Sequence, residues 1–202
     1  FSPSFMANKY QLEINKVTEA VCEGVQKGIV AFPIRVNLIL IMLRNYGIAS
    51  CYKELESAIR FRDFGVVAID LAGDELNFPG DLFVDHFKKA RNAGLHATAH
   101  AGEAAGPESV KQAILGLGVS RIGHGIQAIK DVKLLDLILE KEIGLEICLT
   151  SNIHTNSISS YQQHPLPEFL NRGILATINT DDPGISGIDL SYEYKIAEKE
   201  LK

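Results

Sequence analysis

The stretch that decides the fold is residues 95–125, which read LHATAHAGEAAGPESVKQAILGLGVSRIGHG. It begins with an apolar run over 95–100 and ends with a second one over 121–125. Between the two runs, Pro107 stands at a first helical position and Gly118 stands where a helix would end. We expect a parallel strand pair joined by a helix, because parallel strands need a crossover connection rather than a tight turn.

The same unit recurs along the chain. Four further apolar, β-branched runs cover residues 36–43, 65–71, 145–149 and 174–179. Helical patterns lie between the runs: 17–28, 50–59, a helix capped by Asp81 and ending at Gly94, and a helix capped by Asp131 and ending at Gly144. Six strands that alternate with helices predict a parallel sheet covered by helices. No linker or low-complexity tract interrupts the repeat, so residues 1–202 are predicted to be a single domain.

Polar residues help to choose between two α/β architectures. They follow the six runs as Arg44-Asn45, Asp74-Glu75, His100 with Glu103, His124, Ser151-Asn152 and Asp181-Asp182. In a (β/α)₈ barrel all strand carboxyl ends open onto one face, whereas an open doubly wound sheet usually carries a glycine-rich phosphate loop, which this sequence lacks. We therefore predict a TIM barrel that is incomplete here, with about six βα units. The missing first strands and last helices are expected outside the chain.

Composition excludes several classes of protein. The net charge is −5 and the 20 basic residues are scattered, which argues against a nucleic-acid partner. The best apolar run has eight residues, Val36 to Leu43, while a membrane-spanning helix needs roughly 18. The three cysteines are odd in number, far apart and without a C-x-x-C, which argues against a disulfide framework and a thiolate zinc site and favours a reducing cytoplasm. The sequence is silent on oligomeric state.

Two strand ends carry candidate acid–base or metal-binding residues. His100 could be a metal ligand on the last residue of a strand, and Glu103 could act as a general acid or base in the turn that follows. The alternative is a strand-end histidine followed by a helix-capping glutamate. His124 lies between Gly123 and Gly125, which leave space around an imidazole. The alternative to a functional role is a core histidine whose hydrogen bonds are made within the protein.

Two further strand ends carry candidate ligand-binding residues. Asp181 and Asp182 are adjacent like charges, which favours a cation or a substrate donor beside them, although an Asp-Pro turn is the alternative. Gly73 would let the backbone approach a flat ligand closely, although a simple turn explains it equally well. Of the remaining polar residues we expect structural roles for Ser151, Asn152 and His96, and surface positions for His86, His154 and His164.

Five segments in this order carry a resemblance to a known family: LAGDE (71–75), HAGEAAGPES (100–109), RIGHG (121–125), CLTSN (148–152) and INTDDPG (178–184). Together they resemble the adenosine deaminase family of metal-dependent (β/α)₈ hydrolases, the bacterial enzymes in particular. The resemblance implies one zinc ion per subunit with His100 and Asp181 as ligands. It also implies Glu103 as proton donor to the purine ring and His124 as the residue that orients the attacking water and helps to deprotonate it. For the purine itself, it implies Asp182 as a hydrogen-bond acceptor and Gly73 as a backbone contact to the ring edge.

The resemblance implies hydrolytic deamination of adenosine, and of deoxyadenosine, to inosine and ammonia in purine salvage. The family also carries an H-x-H zinc-binding pair on its first strand, and no H-x-H occurs in these 202 residues. We expect this pair upstream of Phe1 and expect the chain alone to bind zinc weakly. Two alternatives stay open: a deaminase of adenine or another aminopurine, and a catalytically silent purine-binding barrel.

Overall fold

A computed structural model of the chain describes residues 1–201. The chain divides into two compact units, one over Phe1–Ala99 and one that begins at His100. None of the helices in the described part is long and apolar enough to cross a bilayer. The prediction of a single domain over 1–202 stays a prediction.

The first unit alternates helices and strands. Its elements are α1 (Pro3–Tyr10), α2 (Ile14–Ala31), β1 (Leu38–Leu43), α3 (Gly47–Arg60), β2 (Val66–Ala72), α4 (Val84–Asn92) and the first four residues of β3 (His96–Ala101). The strands are parallel, with Leu40 opposite Ile69 and Ala68 opposite His96. Phe1 pairs with β1 in the same way, because its amino group donates to Ile39 O at 3.0 Å and its carbonyl accepts from Ile41 N–H at 2.9 Å.

A buried carboxylate ties the beginning of the chain to this unit. Glu54 lies on α3 with no exposed surface and accepts hydrogen bonds from the Ser2 and Ser4 hydroxyls and from the Ser4 and Leu43 backbone N–H groups. Burial raises the pKa of Glu54, while these donors oppose the rise. Cys51, beside it on the apolar face of α3, is also buried, which raises the pKa of its thiol to about 12.

The second unit continues the pattern. After the end of β3 come α5 (Pro107–Gln112), which runs on as a wider helical turn over Ala113–Leu117, then β4 (Arg121–His124), α6 (Val132–Glu140), β5 (Gly144–Ile147), α7 (Leu149–His154), α8 (Leu166–Asn171), β6 (Ala176–Ile178), α9 (Pro183–Ser186) and α10 (Leu190–Glu200). The pairs β4–β5 and β5–β6 are parallel. Gly125, one residue beyond the end of β4, donates its N–H to the carbonyl of Ala101, the last residue of β3, at 3.0 Å. The six strands follow one another in chain order through the sheet.

All six predicted strands exist, and the errors concern the helices: some begin or end elsewhere, and α7 was not predicted. Asp131 caps α6 as predicted, accepting from the N–H groups of Lys133 and Leu134. The Asp81 cap is wrong, because α4 begins at Val84 after a tight 3₁₀ turn over Gly80–Phe83. The predicted helix end at Gly144 is also wrong, because α6 ends at Glu140 and Gly144 is the first residue of β5. A glycine marks a turn but does not say on which side the next element begins.

Candidate functional site

The second unit brings four predicted site residues together. His100 lies near the end of β3, His124 is the last residue of β4, Asp181 follows β6, and Glu103 lies in the turn after β3. Donor atoms of His100, His124 and Asp181 all lie within 4.8 Å of one another. The cluster forms because the carboxyl ends of parallel strands meet at one edge of the sheet.

Two of these residues hold an uncommon backbone conformation. His124 has φ +65° and Asp181 has φ +54°, both in the left-handed region that residues with a Cβ rarely adopt. Histidine and aspartate tolerate this region better than most residues, yet each such position costs on the order of 1 kcal/mol and is held by its surroundings. In both cases the strained residue stands at a strand end and directs its side chain into the cluster.

Gly123 of the RIGHG segment makes room for His100 rather than for His124. A Cβ at Gly123 would lie 3.1 Å from Cγ and Nδ1 of the His100 ring, which is tighter than an ordinary contact. The rings of His100 and His124 are therefore neighbours, with centroids 5.2 Å apart and planes at 62°. Gly125 has a separate reason, because its φ is +67° and a Cβ there would press on Leu145.

His124 lies between two carboxylates. Its Nε2 is 3.5 Å from Glu103 Oε2 and 3.9 Å from Asp181 Oδ2. The imidazole side chain is 2% exposed, whereas the Glu103 and Asp181 side chains each keep 23% of their surface open. A buried ring with two partly open carboxylates in front of it can orient a small molecule and move protons to or from it.

Helix α7 and the residue after it hold all three of these side chains. Ser151 Oγ donates to Asp181 Oδ2 at 2.7 Å, Asn152 Nδ2 contacts His124 Nδ1 at 3.0 Å, and Thr155 Oγ1 donates to Glu103 Oε1 at 3.0 Å. Ser151 and Asn152, for which we expected structural roles, thus contact the site side chains directly. Thr155 carried no sequence signal, since an isolated threonine after a polar run is common.

Helix α7 is itself anchored from α10. Glu193 has no exposed surface, and its Oε2 accepts from Thr150 N–H, in the first turn of α7, at 3.3 Å. A carboxylate at this place satisfies an N-terminal amide and favours the helix dipole. Cys148, which precedes α7, is buried, and its burial together with the charge of Asp181 raises the pKa of its thiol. Cys148 therefore keeps its proton and is a poor metal ligand.

The prediction of surface histidines is wrong at two positions. His164 is 4% exposed and His86 is 2% exposed, while His154 is exposed as predicted. Burial, with a smaller contribution from His124, lowers the pKa of His164 to about 4. His164 Nε2 lies 3.2 Å from Asn152 Oδ1, and its Nδ1 accepts from Leu166 N–H at 3.1 Å. Asn152 lies 12 residues away along the chain, so the sequence around His164 alone does not reveal the burial.

Asp182 stands beside the cluster. Burial and then the like charge of Asp181 raise the pKa of its carboxyl. The turn that was the alternative for this pair is also present, since α9 begins at Pro183 and the Asp182 carbonyl accepts from Ile185 and Ser186 N–H. Its carboxylate makes no capping bond to α9, which leaves that group for a ligand.

Gly73 belongs to the first unit. It follows β2 with φ +100°, and a Cβ there would overlap Asn45 Oδ1, which accepts from Asp74 N–H at 3.0 Å. Glycine is required here by the Asn45 contact as well as by the backbone conformation. Its contact to a purine stays a prediction.

The donor set fits a metal ion. Imidazole nitrogens and a carboxylate oxygen within 4.8 Å of one another are ligand types that divalent transition metals accept. Ser151 orients the Asp181 carboxylate, in the way that ligating carboxylates are usually held by outer hydrogen bonds.

Known proteins are similar to this chain in sequence and in fold. A family model described as adenosine deaminase matches residues 1–202. An adenosine deaminase from Serratia proteamaculans is 54% identical over 197 residues, which cover 98% of this chain and 59% of that protein. The chain thus spans about 59% of the length of that relative.

Solved structures support the same fold. An adenine deaminase from Arthrobacter aurescens superposes with a TM-score of 0.86 at 24% identity, over 98% of this chain and 60% of that one. An amidohydrolase from Burkholderia ambifaria with bound Zn superposes with a TM-score of 0.85 at 22% identity, over 100% of this chain and 56% of that one. The predicted fold is confirmed: the chain holds six βα units of a (β/α)₈ barrel.

Proposed function

We propose that this chain, which belongs to the adenosine deaminase family, is part of an enzyme that hydrolyses adenosine, and deoxyadenosine, to inosine and ammonia in purine salvage. The observation that carries the proposal is the cluster at the strand ends, where His124 faces Glu103 at 3.5 Å and Asp181 at 3.9 Å. The 54% identity to a curated adenosine deaminase supports it.

A metal ion belongs to the proposal, with His100 and Asp181 as the ligands that this chain contributes. We take the metal to be zinc, one ion per subunit, because the donor types suit it and a protein of the same fold carries bound Zn. When bound, the ion supplies Lewis-acid activation of the attacking water near neutral pH.

Glu103 acts on the purine ring. In its protonated form it donates a proton to the ring nitrogen beside the amino-bearing carbon, which makes that carbon a better target for water. Thr155 holds Oε1 of Glu103, so the carboxyl group keeps one orientation. The reaction consumes adenosine and water, and it releases the amino group as ammonia while the water oxygen stays on the ring as the inosine carbonyl.

His124 and Asp182 orient the reactants. His124 Nε2 faces both carboxylates and can hold the attacking water against them. Asp182 accepts a hydrogen bond from the purine, and Gly73 offers a backbone group to the ring edge. Each of these assignments comes from the matching family motif and from the position of the residue at a strand end.

The partner is a small-molecule nucleoside, and we expect neither nucleic acid nor membrane to be bound. We place the protein in the cytoplasm, because the three cysteines are free and buried, as a reducing compartment favours. We also propose that residues 1–202 belong to one barrel domain, since one family model matches all of them.

The test is ammonia release from adenosine and, separately, from adenine by the full-length, zinc-loaded protein. Release from adenosine supports the proposal. Release from adenine alone would change the substrate to a free base, and release from neither would favour a silent purine-binding barrel. The likeness to the adenine deaminase, at 24% identity, speaks for the fold alone and does not favour that substrate.

A further inference from the structure

We propose that His164 and Asn152 are positioning residues that hold His124 with its proton on Nε2, which makes His124 a hydrogen-bond donor in the site and not a metal ligand. The inference rests on the proposed function for its effect on turnover. The three side chains form a relay, from His164 through Asn152 to His124, and each is at most 4% exposed.

The first step is the state of His164. A backbone N–H can only donate, so His164 Nδ1, which lies 3.1 Å from Leu166 N, must be an acceptor without a proton. In a neutral imidazole the other nitrogen then carries the proton. The lowered pKa of His164, about 4, agrees with a ring that is neutral at pH 7. His164 Nε2 is therefore a donor.

The second step fixes the amide of Asn152. The atom of Asn152 that faces the His164 donor at 3.2 Å must be an acceptor, which identifies it as Oδ1. The other end of the amide, Nδ2, then points at His124 Nδ1 at 3.0 Å and donates to it. The orientation of the Asn152 amide thus follows from the backbone N–H of Leu166 at the far end of the relay. Solvent water does not compete for these hydrogen bonds, because Asn152 has no exposed surface.

The third step is the state of His124. Its Nδ1 accepts from Asn152, so the proton of the neutral ring lies on Nε2. This N–H points toward Glu103 Oε2 and Asp181 Oδ2, at 3.5 and 3.9 Å, and can donate to an oxygen held between them. A nitrogen that carries a proton cannot coordinate a metal, and the other nitrogen is already occupied by Asn152.

Two consequences follow for the site. Although His124 lies within 4.8 Å of the other donors, the relay leaves His100 and Asp181 as the metal ligands of this chain. Of the two tasks that the family resemblance gives to His124, a fixed N–H donor performs the orienting one. In this resting state its Nε2 cannot accept a proton from water.

Asn152→Asp tests the relay without changing its shape. The substitution replaces the Nδ2 donor by an acceptor oxygen, which attracts the His124 proton to Nδ1 and removes it from Nε2. We expect kcat to fall by about 10²- to 10⁴-fold, because a positioned proton-transfer group contributes about that much and a catalytic histidine held in the wrong tautomer loses about 10⁴. We expect KM for adenosine to change by about threefold or less, because no substrate contact is altered, and zinc content to be retained.

His164 offers a matched pair of variants. His164→Leu removes the donor to Asn152 at similar volume, and we expect kcat to fall by about tenfold or more. His164→Gln places an amide N–H where the Nε2 donor stood and should restore most of that loss, whereas a purely structural role would not distinguish an amide from an apolar side chain in this way. His96→Gln, at an exposed position, controls for the exchange of residue type, and thermal unfolding checks that each variant is folded.

The direct measurement is ¹⁵N NMR of the full-length, zinc-loaded protein labelled at histidine nitrogens, with His124 assigned from the signals that His124→Asn removes. We expect a bare Nδ1 and a protonated Nε2 for His124, and the reverse in Asn152→Asp. A proton on Nδ1 or a metal-bound nitrogen in the wild type would overturn the proposal, as would an unchanged kcat in Asn152→Asp. If the expected tautomer is found in a protein that releases no ammonia from adenosine, the proposed function fails and the relay stands.

Discussion

Gly123→Ala should weaken metal binding although it replaces no proposed metal ligand. The new Cβ would lie 3.1 Å from Cγ and Nδ1 and 3.3 Å from Cα of His100, while ordinary carbon contacts begin near ~3.5 Å. The His100 ring must therefore retreat by roughly 0.3–0.4 Å, because the Gly123 backbone is held in the sheet. The φ of Gly123 is not in the left-handed region, so alanine adds no backbone strain of its own.

The magnitude follows from the tolerance of metal ligands, which is about 0.2 Å in bond length. A displacement of this size exceeds that tolerance, and disturbed ligand orientation typically costs about 10- to 100-fold in metal affinity. In free energy this corresponds to about 1.4–2.8 kcal/mol. We expect turnover to fall in step with zinc occupancy and to recover when excess zinc is added.

The assay is zinc competition against a chelator in the full-length protein. Gly144→Ala is the matched control, because it adds the same methyl group to the neighbouring strand, where the Cβ meets Arg121 Cγ at an ordinary 3.5 Å. We expect the control to bind zinc as the wild type does. Equal zinc affinity in Gly123→Ala and wild type would refute the argument that Gly123 sets the position of His100.

Four further predictions concern single side chains. Glu103→Gln should keep its zinc but lower kcat by about 10² or more, because proton transfer is lost, and full activity in the ammonia assay would refute that role. Asp181→Ala should lose zinc as well as turnover, measured by metal analysis, whereas Asp182→Asn should keep its zinc and raise KM. Glu54 has a raised pKa in the folded state, so its contribution to stability is present below the unfolded pKa and is lost as pH rises through the folded pKa. The free energy of unfolding of Glu54→Gln, measured with urea, should therefore improve relative to wild type as pH rises, and a pH-independent difference would contradict this.

The strands and their polar ends could be predicted because their signals are local. A strand buried on both faces is apolar throughout, and the residue after it meets the other strand ends at one edge of the sheet. His100, His124 and Asp181 were placed together on that ground alone. The role of Gly123 was predicted less well, since a sequence shows that a glycine leaves space but not which ring fills it.

What the sequence could not reveal are contacts between distant segments. The run over 145–149 is apolar to its end, and apolarity alone does not separate a strand from a buried helix, so α7 was missed although it begins at Leu149. His164 is buried by partners at Asn152 and Leu166, and only the first of these is distant in sequence. A histidine in a loop gives no sign of either bond until the loop is folded.

Helix α7, which the sequence did not predict, positions the side chains of the site. Threonine, serine and asparagine at positions 150–152 are poor helix formers, and a six-residue helix is unstable on its own. Glu193 of α10 stabilises the first turn by accepting from Thr150 N–H, and the Ser151 and Asn152 side chains contact Asp181 and His124. A local sequence that opposes its own secondary structure is typical of functional positions, because the residues are kept for their contacts. The orientation of the acid–base groups is therefore set by residues that themselves need not touch the substrate.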